Sequence, residues 1–362
     1  MIKRMSTLFG FMLLLLVLVA CSGAEETSSN DEASGDSSNE DKLKIYTTIY
    51  PLLYFTEQIG GETVDVESIL PPGSDAHTYE PTSKEMVELA GADLFMMNGA
   101  ELEPYASSMA DALKKEEVEI LEASKDIELI AHNHHSEHEE GNDHSEEHDH
   151  GEESVHTEDH EHEEGHDEES HHDSNHNDEE SSHEGHHHGD EDPHIWLDPV
   201  RAKEMAANVK EQLVSLNPED SSVYEQNYES LVNRLDELNQ MYEDKLQNLS
   251  DKKFIVSHAA YGYWENAYGV EQIPVSGLSP SEVPSQKSLE RVIEEAKANN
   301  LEYIYFEQNV TDRVANVIKD ELDAKPIDLH NLSVLTTEDI EQDEDYFTIM
   351  ERNLEHLLKE FE

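Results

Sequence analysis

Outside one long tract the chain holds five histidines: His77, His194, His258, His330 and His356. Neutral imidazole is a good ligand for zinc, copper, nickel or iron, whereas manganese, magnesium and calcium favour carboxylate-rich oxygen sites. Three of the five stand where a ligand would. His258 directly follows the apolar run FIVS, His77 lies in the loop PPGSDAHTYEPT after VDVESIL, and His194 opens the segment HIWLDP. Where such runs are strands of open parallel sheets, ligands bind outside their carboxyl ends. Position alone leaves two readings open for each histidine, a metal ligand or a capping or core residue.

The other eighteen of the 23 histidines fall in residues 132–192, a tract with no aromatic residue, no lysine or arginine, and Val155 as its only aliphatic side chain. Nothing in it can offset the entropy of ordering its backbone, so it is expected to be a disordered insertion. Two copies of H-E-x-x-H, His162–His166 and His183–His187, sit inside it. That motif binds zinc for proteolysis only on a helix, where i and i+4 share a face, and here it lies among glycine, serine and like charges. Protease activity is therefore rejected. Dense imidazoles and carboxylates give many weak, exchangeable zinc sites, so the tract reads as a local scavenger; a solvated linker of drifted composition is the plainer reading.

The elements that must position the three histidines alternate. KIYTTI, VDVESIL, LFMMN and VEIL read as strands separated by helices, with Pro51 opening the first helix, Gly60-Gly61 stopping it, and Thr82 with Glu85 capping the next. FIVS, VEQIPV, EYIYF and PIDL form a second such set, before a last helix from about Tyr346 to Lys359. Between the sets, Tyr224, Tyr228, Leu231, Leu235, Leu238, Tyr242, Leu246 and Leu249 recur at steps of three or four. That spacing predicts one amphipathic helix of about 30 residues, roughly 45 Å long. The fold class expected is α/β: two lobes, each with a mainly parallel sheet flanked by helices, joined by one long rigid helix. The expected boundaries are 43–216 for the N-terminal lobe with its 132–192 insertion, 217–251 for the linking helix and 252–362 for the C-terminal lobe.

Lys3 and Arg4 precede an apolar run from Leu8 to Val19, too short for a comfortable membrane span and therefore read as an export signal covering residues 1–20. It ends in Leu18-Val19-Ala20-Cys21, which resembles a bacterial lipobox, and Cys21 is the only cysteine. Cys21 is thus the expected lipidation site. Residues 21–42, polar and acidic, read as a disordered tether to the membrane surface. The formal net charge of −62 argues against nucleic acid as a partner.

GSDAHTYEPT, DPHIWLDP, VSHAAYGYWENAYGV and SPSEVPSQKSL resemble, in this order, successive motifs of the zinc-uptake solute-binding lipoproteins of ABC importers. The similarity runs from about Lys44 to Lys359 and includes an acidic histidine-rich insertion in the same place. It implies Zn2+ held between two lobes by His77, His194 and His258, a membrane permease and an ATPase as partners, a monomeric protein outside the cytoplasm on a lipid anchor, and no catalysis. Manganese-binding relatives use two histidines and two carboxylates, so His258, standing where they have a glutamate, is the main warrant for zinc. Two departures stand out. Ala76 replaces the usual proline before the first histidine, which is expected to loosen that loop. Ser333, in LHNLSVLT, occupies the place of a carboxylate that many relatives use as fourth ligand; water is the first choice for that position, with Glu307 and His330 behind it. Two alternatives remain: a manganese or broad-metal transport protein of the same architecture, and a surface adhesin or zinc buffer without a transporter.

Overall fold

The computed structural model describes residues 42–131, 191–308 and 313–361. The export segment, Cys21, all but the last residue of the tether, and the tract up to residue 190 lie outside them. The chain alternates as its hydrophobic pattern requires. The first lobe runs β1 (Leu43–Thr47), α1 (Tyr50–Gly60), β2 (Val64–Ser68), α2 (Ser83–Leu89), β3 (Leu94–Met97), α3 (Ala106–Leu113), β4 (Glu119–Glu122) and α4 (Pro199–Leu216). The linking helix is α5 (Ser221–Leu246). The second lobe runs β5 (Lys253–Val256), α6 (Gly262–Tyr268), β6 (Glu271–Pro274), α7 (Gln286–Asn299), β7 (Tyr303–Phe306), α8 (Arg313–Leu322), β8 (Lys325–Asp328), α9 (Thr337–Glu341) and α10 (Tyr346–Phe361).

Each lobe has a four-stranded parallel sheet, ordered β2-β1-β3-β4 in the first and β6-β5-β7-β8 in the second. The same order twice means that chain leaves the carboxyl ends of both sheets in equivalent places. Helix starts follow local chemistry: Pro51 stands in the first turn of α1, Gly61 ends it at φ 56°, and Thr82 and Glu85 close a reciprocal capping box on α2.

α5 is shorter than the periodicity suggests, at 26 residues, or about 39 Å at the standard rise. Pro218–Asp220 winds as a separate 3₁₀ turn before it. Its buried stripe is Tyr224, Leu231, Leu235, Leu238, Tyr242 and Leu246, while Tyr228 and Leu249 are only half-buried. The lobes are more deeply joined than a single helix would make them. One apolar cluster runs from Ile45 and Phe55 in the first lobe through α5 to Phe254 and Tyr305 in the second. α10 returns to the first lobe, where Tyr346 stacks on Tyr54 and packs its edge on Phe55. Arg234 of α5 ties this corner: it lies 3.8 Å over the Phe347 ring and donates to the Tyr54 hydroxyl (2.9 Å) and to Asp345 (3.1 Å). Buried hydrogen bonds also cross the seam, from the Trp196 indole to Asn331 O (2.7 Å), the Tyr346 hydroxyl to Trp196 O (2.6 Å) and the Trp264 indole to Leu197 O (2.7 Å).

One boundary differs from the sequence reading. Glu191 and Asp192, expected within the insertion, are part of the ordered body. Glu191 bridges to Ala131, the Asp192 amide donates to Ile130 O (2.9 Å), and the Asp192 carbonyl accepts from the Tyr263 hydroxyl (2.7 Å). Composition cannot separate this acid from its neighbours in the tract; the partners that bury it come from distant sequence.

Candidate metal centre

His258 sits just beyond β5, whose neighbours β6 and β7 lie on opposite sides; Glu307 sits just beyond β7. The pair therefore flanks a crevice of the kind in which parallel sheets bind ligands. His77 comes from the loop between β2 and α2. Ala76, in the same loop, is buried at 1% exposure. Asp75 fixes its turn, accepting from the His77 amide (3.0 Å) and the Thr78 hydroxyl (2.9 Å). Gly73 N donating to Leu335 O (3.0 Å) ties the loop to the second lobe. His194 begins the 3₁₀ turn Ile195–Leu197, which delivers the chain to α4.

The three rings converge. One nitrogen from each lies within 4.8 Å of the other two, and the ring centroids are 5.3–5.9 Å apart. Nε2 of His194 and Nε2 of His258 are 3.4 Å apart. Two nitrogens bound to a tetrahedral zinc at about 2.0–2.1 Å stand about 3.3–3.4 Å from each other, so the pair already spans one edge of such a shell. On the far side of each ring is a carboxylate. Asp192 Oδ1 accepts from the His194 amide (3.0 Å) and lies 2.8 Å from its Nδ1, and Glu307 Oε1 closely contacts His258 Nδ1. On a neutral ring a carboxylate beside Nδ1 favours the proton there, which leaves the Nε2 lone pairs facing one another. Two acceptors at that separation repel unless a cation lies between them.

Electrostatics differ among the rings. Burial, then the neighbouring imidazoles, holds the pKa of His77 well below the usual histidine value. Burial acts the same way on His258, but Glu307, joined by Asp75 and Asp192, outweighs it and leaves the pKa raised.

The other sequence candidates do not join the group. Glu307 has its oxygens engaged by His258, the Ser257 hydroxyl (3.1 Å) and Asn331 Nδ2 (2.6 Å). His330 accepts from Leu332 N at Nδ1 (2.9 Å) and meets Asp339 at Nε2 (3.2 Å), so both its nitrogens are committed. Ser333 donates its hydroxyl to Asn331 Oδ1 (2.8 Å). Among the described residues the three-membered group is all histidine. The H-E-x-x-H copies and Cys21 lie outside the described residues.

Sequence reasoning missed the support around His194. Asn98, at the end of β3, donates to Pro193 O (3.0 Å), and Glu103 holds that turn by accepting from the amides of Asn98 (2.8 Å) and Gly99 (3.2 Å). Ala100 and Glu101 follow with φ of 51° and 60°, the left-handed region that non-glycine residues avoid. Burial pushes the Glu103 carboxyl up to about 7, against the pull of its hydrogen bonds from Thr48, Asn98 and Gly99. The folded state holds the extra proton between about 4.5 and 7, so Glu103 makes stability fall as pH rises through that window. Urea unfolding of the protein and of Glu103→Gln at pH 4.5 to 7.5 should diverge by on the order of 3 kcal/mol across the range. A difference independent of pH would contradict this.

Two parallel-sheet lobes and a convergence of three imidazoles fit a solute-binding protein for a metal ion. The chain matches, over residues 45–360, the family described as zinc-uptake complex component A, periplasmic, and it belongs to that family. It is 32% identical to the high-affinity zinc uptake system protein ZnuA of Bacillus subtilis, over 99% of this chain and 98% of that protein. It is also 32% identical to the zinc-binding lipoprotein AdcA of Streptococcus pneumoniae, covering 98% of this chain but only 60% of that longer protein. The Zn(II)-bound ZnuA-like domain of S. pneumoniae AdcA superposes with a TM-score of 0.65 at 29% identity, over 88% of this chain and 99% of that domain. Zinc is the ligand of this class. No helix among the described residues is long and apolar enough to cross a membrane.

Proposed function

We propose that this protein captures Zn2+ between its lobes on His77, His194 and His258 and hands it to the permease of an ABC importer driven by its ATPase. Cys21 carries the lipid that holds the chain, as a monomer, on the outer face of the cytoplasmic membrane, and the acidic histidine tract gathers zinc weakly for the cleft. It acts by binding, with no catalysis.

The single observation that carries this reading is the 3.4 Å approach of two Nε2 atoms whose rings are both backed by carboxylates. That geometry suits a tetrahedral cation with nitrogen ligands and disfavours manganese, which prefers oxygen. With Glu307 and His330 engaged elsewhere, water fills the fourth position. His77 borders a cavity of about 700 Å³.

Competitive titration of the intact chain against a zinc chelator, with and without excess manganese, tests the reading. One tight zinc per chain, undisplaced by manganese, is the expected result. Displacement by equimolar manganese would favour the broad-metal alternative.

A further inference from the structure

The three histidines are not held alike. His194 and His258 are buried, at 1% and 0% exposure, and each has a carboxylate at Nδ1. The His77 ring has no such carboxylate among the described residues; its loop is fixed through its backbone amide instead.

Each carboxylate is itself aimed by its surroundings. Asp192 is pinned through its main chain to Ile130 and Tyr263, and its Oδ2 lies over Gly262, where a Cβ would come within 2.5 Å of it. Glu307 is oriented by Ser257 and Asn331. The Asn331 amide is in turn set by three donors to its Oδ1: Ser333 N (3.0 Å), Ser333 Oγ (2.8 Å) and Gln308 Nε2 (2.9 Å). Ser333 thus belongs to a relay of hydrogen bonds that passes through Asn331 and Glu307 to His258.

We propose that Asp192 and Glu307 are positioning residues: they keep the proton of His194 and His258 on Nδ1, so that both Nε2 lone pairs face the metal before it arrives. The proposal rests on the reading that these histidines hold zinc. Its physical basis is general: a fixed tautomer and ring orientation remove a reorganisation that binding would otherwise have to drive, and a carboxylate on the distal nitrogen raises ligand basicity. Loss of such a partner typically weakens metal binding 10- to 100-fold.

The experiment uses the intact chain. Zinc affinity is measured by chelator competition for Asp192→Ala and Glu307→Ala, and for Asp192→Asn and Glu307→Gln, which keep a neutral acceptor and the side-chain shape. Ring ¹⁵N shifts of the zinc-free proteins report the tautomer, a readout that a merely structural role would not move. Glu282→Gln, a change of the same charge at the cavity wall, is the control.

The expected result is about 10- to 100-fold weaker zinc in the alanine variants. Nδ1–H signals should be lost at the matching histidine, with partial recovery in the amide variants and affinity unchanged in Glu282→Gln. Pure Nδ1–H tautomers in folded Asp192→Asn and Glu307→Gln, with wild-type affinity in the alanine variants, would overturn the proposal. So would an equal loss in Glu282→Gln, which would make the effect one of general charge. His258→Ala separates the two levels: if it too kept zinc, the reading of the site itself would fall, whereas if it alone lost zinc, only the positioning role would.

Discussion

Replacing His258 by alanine should abolish tight zinc binding while leaving the chain folded. The side chain is fully buried, and its Nε2 forms one end of the 3.4 Å edge shared with His194. Without it, two imidazoles remain, and zinc would need water at half of its tetrahedral positions. Losing a direct ligand should exceed the 10- to 100-fold cost of losing an outer partner, so a fall of more than 100-fold is expected. The substitution also deprives buried Glu307 of its imidazole partner, while Ser257 and Asn331 still donate to it. A lower melting temperature should therefore accompany the loss, since a buried carboxylate short of a partner is costly. Circular dichroism checks the fold and chelator competition reads the affinity. A folded variant within threefold of wild type would move the site elsewhere.

Excising residues 132–190 should have the opposite profile. The feet of the insertion meet at the antiparallel Ala131–Glu191 bridge, reinforced by the hydrogen bond from Asp192 N to Ile130 O. Chain ends paired in this way accept a two-residue Asn-Gly turn in place of the natural segment. Asp192 must stay, because it carries the acid behind His194. The shortened protein should keep one tight zinc at wild-type affinity and lose the weakly held zinc that eighteen histidines provide. That weak fraction should itself disappear below about pH 6.5, where free imidazole protonates. In cells, uptake should slow only when a chelator makes zinc scarce. Equal growth of the two strains under chelation would end the scavenging role; loss of tight binding on excision would make the tract the main binder and favour the buffer reading.

Both predictions rest on features of unequal legibility in the sequence. The alternation of Lys44–Ile49, Val64–Leu70 and Phe254–Ser257 with helical stretches was enough to expect two parallel sheets, because strands separated by helices pair in parallel through crossover connections. The three histidines could be picked out because His77 and His258 follow such runs and His194 opens the ordered segment after the tract. Asp192 and Glu307 could not be assigned this way. One is an acid among acids, the other a residue whose oxygens are spoken for by Ser257, His258 and Asn331, three groups brought together only by the second sheet. The joining of the lobes was equally hidden, since the meeting of Tyr346 with Tyr54, and of Tyr54 with Arg234, spans separations that no local pattern records.

That joining has a thermodynamic consequence. Domains connected by small, wet interfaces melt separately, and a ligand held by both then stabilises neither fully. Here a single apolar cluster and buried main-chain acceptors run through both lobes. The two halves should therefore unfold in one cooperative transition, seen as coincident calorimetric and spectroscopic melts. Any ion bound between them stabilises the whole fold by RT ln(1 + [L]/Kd), so the melting temperature of the entire chain becomes a gauge of cleft occupancy.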